Sequence, residues 1–252
     1  MRSKTEKKTQ KKLVPPFKIM FEDNDIIVVV KPAGILSVGG SGERRMSMTD
    51  MVKMYVRQQS RENKAFAVHR LDREVSGLML LAKSEKVKAK IITHWGETVK
   101  KYKALVIGKP PKSAVVLKDY IREGPKQKML VVDTPASPND LKTQLAITKY
   151  KLLEEFGNYS LLDIDIETGR KNQIRVQLSN AGFPIVGDRK YGDESKFIRQ
   201  IRLQAYYLEL NHPITKEKIR FELPLPKNFN NIQNADENYK TNINRVYRKV
   251  EN

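Results

Sequence analysis

Short apolar runs of strand-like period recur along this chain without the regular strand–helix alternation that a parallel sheet requires. KIMFE and IIVVVK flank Asp23-Asn24-Asp25 as one hairpin, and LQAYYLEL and IRFELPLP flank NHPITKEK as another. FAVHR and LMLLAKS read as strands on either side of a loop. VKKYKALVIGK alternates as a strand, and YSLLDIDIE is a further one. Helical spacing is confined to residues 46–59, to 85–96 with Gly96 as a stop, and to RKNQIRVQLSNAG ahead of Gly182. The fold class that follows is α+β, with a mixed, mainly antiparallel central sheet and flanking helices. There is no internal repeat.

Residues 1–17 are Lys-rich and nearly free of core-forming side chains, so a flexible basic tail is expected there. Residues 227–252 form a polar, Asn-rich extension with one weak apolar stripe at Ile243, Val246, Tyr247 and Val250. The folded unit is expected at 18–226, and 39% apolar composition is enough for one compact core. A net charge of +19 favours polyanionic partners, nucleic acid first and an anionic membrane surface second. No run approaches the roughly 18 apolar residues of a spanning helix, and the N-terminus lacks the apolar core of a signal peptide, so a cytoplasmic protein with no membrane partner is expected. The absence of cysteine excludes disulfides and thiolate chemistry. With only His69, His94 and His212 as imidazoles, a nitrogen-rich metal centre is disfavoured.

The segment Val68-His69-Arg70-Leu71-Asp72-Arg73-Glu74-Val75-Ser76-Gly77-Leu78 sets a carboxylate between two arginines in a loop joining two apolar strands. Taken alone, such a loop is most often a surface ion-pair cluster. Asp163, Asp165 and Glu167 alternate along one strand face and, with Asp72, could hold a divalent cation in a nuclease. Alternating acid on a half-exposed strand is more commonly just its solvated side.

The longer string HRLDREVSGLMLLAKS resembles the signature loop of the RluA-type family of pseudouridine synthases. Four further blocks are similar to that family and occur in its order across residues 18–226. They are FEDNDIIVVVKPAG at 21–34, KKYKALVIGK at 100–109, TGRKNQIRVQLSNAGFPIVGDRKYG at 168–192, and LQAYYLELNHPITKE followed by PLP. The resemblance implies the pseudouridine synthase fold with its active-site cleft, and an enzyme that isomerises uridine in structured RNA without cofactor or metal. It makes Asp72 the catalytic aspartate, Tyr102 the active-site tyrosine and Arg175 the basic partner of Asp72.

Each of those implied roles has a chemical reason. Breaking an N-glycosidic bond and remaking it as a C–C bond needs an oxygen base or nucleophile beside the sugar, which a carboxylate supplies. A guanidinium can clamp that carboxylate bidentately once water is expelled. A tyrosine offers a stacking face and a hydroxyl for proton traffic. Because a paired uridine hides its C1′, the target is expected to flip out of its helix. His69, Arg70, Arg73, Arg170, Asn172 and Gln173 are the candidates for holding it. Gly77, Gly169 and Gly187 are expected to serve tight turns.

Three positions depart from the family pattern, with Asn172, Gln177 and Gln204 standing where histidines are usual. Each keeps hydrogen-bonding capacity and loses a titratable ring. The family's frequent N-terminal S4-type domain cannot be formed by 17 residues, so RNA affinity is expected from the catalytic domain and tail, in a monomer. The RNA implied is 23S ribosomal RNA. Transfer RNA with the same chemistry, or a catalytically inactive RNA-binding or ribosome-assembly factor of this fold, are the alternatives.

Overall fold

The computed structural model describes residues 15–229 apart from 41, 43, 112, 113, 138, 193–197 and 199. Residues 1–14 of the expected basic tail and 230–252 of the polar extension lie outside the described residues, whereas Phe17, expected in the tail, is buried with Ile27, Val29 and Met51, so the folded unit begins before residue 18. Among the described residues, eleven strands and three α-helices run in the order β1 (Lys18–Glu22), β2 (Ile26–Lys31), α1 (Met48–Gln59), β3 (Phe66–Ala67), β4 (Ser76–Ala82), α2 (Glu85–Thr93), β5 (Val99–Ile107), β6 (Val115–Glu123), β7 (Met129–Val132), β8 (Gln144–Phe156), β9 (Tyr159–Ile166), α3 (Gln173–Asn180), β10 (Leu203–Asn211) and β11 (Lys218–Glu222). They form one sheet ordered β1-β2-β4-β10-β5-β9-β8-β6-β7, with β3 on β4 and β11 on β10. Every pairing is antiparallel except β4 with β10, so the sheet is mixed and mainly antiparallel.

The local chemistry explains the elements. Asp23 Oδ1 accepts the amides of Asp25 and Ile26, both at 2.8 Å, closing the first hairpin. The apolar run of β2 is continuous because both its faces are covered. Ile27 and Val29 pack with Met48, Met51 and Val52 of α1, while Ile26 and Val28 pack with Val87 and Ile91 of α2. Helix α1 starts at a reciprocal cap between Ser47 and Asp50. Helix α2 ends at Thr93, and the expected last turn to Gly96 is instead a separate 3-10 turn at Trp95–Glu97.

Three strands went unread in the sequence, namely β6, β7 and β8. They stand at the far edge of the sheet, where one face carries Lys118, Lys149 and Lys151, so the apolar signal is diluted by charge. Gly77 also differs from expectation. It lies inside β4 with φ +133°, and a Cβ there would collide with the backbone O and N of Ala205. The glycine is thus what lets β10 approach β4 in the parallel pair Gln204↔Ser76 and Ala205↔Gly77.

Helix α3 lies on the β5-β9-β8 face, where Ile174 and Leu178 share a core with Ala104, Val106, Leu162, Ile164 and Tyr150. Leu71 and Val75, either side of Asp72, plug into the same core and bring their loop against the start of α3. The fold continues past residue 226, because Phe229 is buried with Leu105, Leu161, Val186 and Ile198.

Candidate active site

The Asp72 loop joins β3 to β4 and is pinned from below. Ser37 Oγ accepts the Leu71 amide at 2.9 Å and donates to the Leu71 carbonyl at 2.7 Å. Lys31 Nζ, fully buried at the end of β2, donates to the carbonyls of Ile35 (2.7 Å), Pro32 (3.0 Å) and Arg73 (3.2 Å). Burial pulls its pKa down to about 7, against the raising fields of Glu74 and Asp72. With both ends of the loop anchored, the Asp72 side chain projects with one-fifth of its surface exposed.

Two donors from α3 meet it. Asn172, the cap of the helix, sits in the left-handed region at φ 52° and ψ 22°, which asparagine tolerates better than most residues. Its Nδ2 donates to Asp72 Oδ2 at 2.5 Å. Arg175 Nη1 donates to the same oxygen at 3.1 Å and to Glu74 Oε2 at 3.1 Å. The expected bidentate clamp of Arg175 on Asp72 is corrected here. The two parallel bonds run from Nε and Nη2 to the carboxylate of Asp188, both 2.8 Å and fully buried. Asp188 reaches the guanidinium first because it is deeper, and Asp72 receives the remaining nitrogen. Burial opposes the charge on Arg175, yet its hydrogen bonds with Asp188 and the fields of Asp188, Asp72 and Glu74 outweigh it and raise the pKa.

Tyr102 comes from β5, opposite Ile164 of β9 and Ala205 of β10. Burial and, secondarily, Asp72 push its phenol well above the ordinary range, so it stays protonated. Asp72, Tyr102 and Arg175 line one cavity together with Arg70, Arg170, Asn172 and Gln173, so seven of the nine candidates are brought together. The Gln173 side chain is already committed within the fold, accepting from Thr168 Oγ1 and the Arg170 amide and donating to Ile147 O and Thr148 Oγ1.

His69 and Arg73 do not line this cavity. His69 Nε2 accepts the Leu80 amide at 3.0 Å and its ring stacks on Trp95 at 4.8 Å, so it ties the loop to β4. Burial, helped by Lys100, lowers its pKa to about 4 and leaves it neutral. Arg73 is exposed, and its carbonyl accepts from Lys31 Nζ and the Gly34 amide. Gln177 is buried on Thr148, Asp119 and the Ala146 carbonyl, a packing role. Gln204 is buried on β10 beside Ser76. The residues that sequence reasoning missed are Asp188, Tyr191 and Glu74 around the site, and Lys31 and Ser37 beneath it. The signal for the first two lay in the GDRKYG string.

The cation-site alternative fails on geometry. Tyr102 pairs with Ile164, whereas Asp163 and Asp165 pair with Lys103 and Lys101 and so point to the other face of the sheet. There Asp163 is bound by Lys103 Nζ and Tyr206 Oη, each at 2.8 Å. Among the described residues the grouping of three potential metal ligands is Asp23, Asp25 and His212, at the other end of β2. His212 Nδ1 already accepts the amides of Ile214 and Thr215, which leaves its Nε2 as the hydrogen-bearing nitrogen, 3.0 Å from Asp23.

The molecule is similar to known proteins over most of its length. A family model described as RNA pseudouridylate synthase matches residues 25–180. Ribosomal large subunit pseudouridine synthase D of Pseudomonas aeruginosa is 32% identical over 229 residues, covering 84% of this chain and 69% of that protein. The Nitrosomonas europaea protein of the same name is 35% identical over 222 residues, covering 84% and 62%. In fold, human RNA pseudouridylate synthase domain containing 4 superposes with a TM-score of 0.67 at 24% identity, over 90% of this chain and 92% of that one. No helix among the described residues is long and apolar enough to cross a membrane.

Proposed function

The chain belongs to the RNA pseudouridylate synthase family, and from that premise we propose that Asp72, Tyr102 and Arg175 isomerise a flipped uridine of large-subunit ribosomal RNA. The activity is that of an RNA pseudouridine synthase: the bond from C1′ to N1 of uracil breaks, a bond from C1′ to C5 forms, and the C5 proton leaves as N1 gains one. The observation that carries the site assignment is the projecting carboxylate of Asp72, aimed by donors from Asn172 and Arg175 beside the protonated Tyr102. Asp72 supplies the oxygen that attacks or deprotonates the sugar. Tyr102 closes the wall against the detached base and has a hydroxyl to move its proton. Arg70 and Arg170, at the rim, hold the phosphates of the flipped nucleotide.

Release of tritium from RNA labelled at uracil C5 tests this reading. Asp72→Asn keeps the shape and removes the charge, so release should fall to background while RNA binding survives. Full release by that variant would overturn the assignment. The target comes from the names of the relatives, which act on the large ribosomal subunit. Mapping pseudouridines in total RNA from cells with and without the gene should show one or more large-subunit positions lost. Loss confined to transfer RNA would move the target, and no loss anywhere would favour an inactive RNA-binding factor.

A further inference from the structure

The donors to Asp72 are unequal. Arg175 divides its nitrogens among three carboxylates and reaches Asp72 with one bond shared with Glu74, whereas Asn172 gives its amide at 2.5 Å. Although asparagine commonly caps a helix with its side chain, Asn172 makes no such bond to α3. Its Oδ1 accepts from Tyr191 Oη at 3.1 Å and faces Lys190 Nζ at 3.5 Å. The Tyr191 oxygen in turn accepts the Met129 amide of β7 at 2.9 Å, so its own proton is directed at Asn172. That polarity fixes which end of the Asn172 amide faces Asp72.

We propose that Asn172, oriented by Tyr191, is a positioning residue that gives Asp72 a dedicated hydrogen-bond donor that does not titrate, in place of the imidazole usual at this position. The inference rests on the assignment of Asp72 as the reacting carboxylate. The charged and titratable groups around the pair are Arg175 from α3, Arg70, Arg73 and Glu74 from the loop, Arg170 from the turn before α3, Tyr102 from β5 and Lys31 from β2, with Asp188, Lys190 and Tyr191 from the segment after α3 and Lys128, whose Nζ lies 5.4 Å over the Tyr191 ring. Burial places the Lys31 titration at about 7, so pH effects are read as the ratio of variant to wild type, in which Lys31 cancels.

The experiment measures kcat and KM for tritium release by the full chain across about pH 5.5–8, bracketing the ordinary imidazole pKa of about 6.5. Asn172→Gly suits the left-handed backbone and keeps the fold, and is expected to lose roughly 10- to 100-fold in kcat with KM within about twofold, the worth of one charge-assisted bond. Asn172→His restores a donor, and its ratio to wild type should fall as pH drops. The imidazolium then neutralises Asp72 and turns the Tyr191 contact into donor against donor. Tyr191→Phe should lower kcat, and combining it with Asn172→Gly should cost no more than Asn172→Gly alone. Wild-type kcat in Asn172→Gly, a pH-independent ratio for Asn172→His, or additive losses in the double variant would each overturn the proposal. If Asp72→Asn retains full release, the assignment of Asp72 fails first and this inference with it. An inactive Asp72→Asn beside a fully active Asn172→Gly refutes the inference alone.

Discussion

Arg175 is a cation sunk among three carboxylates, and only one of them, Asp72, faces the cavity. Asp188→Asn removes the buried half of that arrangement, leaving the guanidinium to Asp72 and Glu74 at the surface. A loss of about 3 kcal/mol is expected in denaturant unfolding, with a drop in kcat because Arg175 is no longer aimed. Unchanged stability would mean that the pairing of Asp188 with Arg175 does not hold the fold together. His69 makes a second, pH-dependent case. Its folded pKa of about 4 lies below the unfolded value of about 6.5, so between them the unfolded chain binds more protons and stability falls as pH drops through that window. The partly exposed ring limits the effect to roughly 1–2 kcal/mol. His69→Gln keeps an acceptor for the Leu80 amide and should lose less urea resistance than wild type between pH 7 and 4.5. Equal losses would show that His69 does not titrate between these states. At this scale the sequence exposed residue types well and partners poorly. Arg70, Asp72 and Arg175 stand in recognisable strings, but which carboxylate takes the guanidinium fork depends on depth, which only packing sets.

Strands buried on both faces, β2 and β4, were legible as continuous apolar runs, and the two outer hairpins by their turns. The run β6–β8 was not, because Lys118, Lys149 and Lys151 on its open face leave it without the continuous apolar content by which β2 and β4 stand out. Gly77 was misread as a turn residue, since a glycine demanded by a neighbouring backbone looks the same in sequence as one demanded by φ in a loop. Gly77→Ala forces a methyl onto the backbone of Ala205, so a destabilisation of roughly 3–5 kcal/mol is expected, read as a shifted unfolding midpoint. Because the Asp72 loop hangs from β4 and Tyr102 from β5, on either side of β10, any variant that does fold should also lose activity beyond its loss of folded fraction.

For the molecule as a whole, the charge of +19 sets how RNA is met. Affinity should fall steeply with salt, each phosphate neutralised adding slightly less than one unit to the slope of log affinity against log salt. Deleting residues 2–12, which carry six basic side chains and one acidic one, should flatten that slope and spare turnover at saturating RNA. An unchanged slope would make the segment irrelevant to binding. The position of β10 has a different consequence, one of order in time. A ribosome makes β1, β2 and β4 first and β5 to β9 next, yet the strand that joins the two half-sheets is translated only after all of them. Until Asn211 has cleared the exit tunnel, the nascent chain holds two unpaired strand edges facing each other across a gap. A premature stop between Ile166 and Leu203 therefore releases two sticky half-sheets rather than a smaller enzyme, and the unfinished polypeptide is a natural client for chaperones.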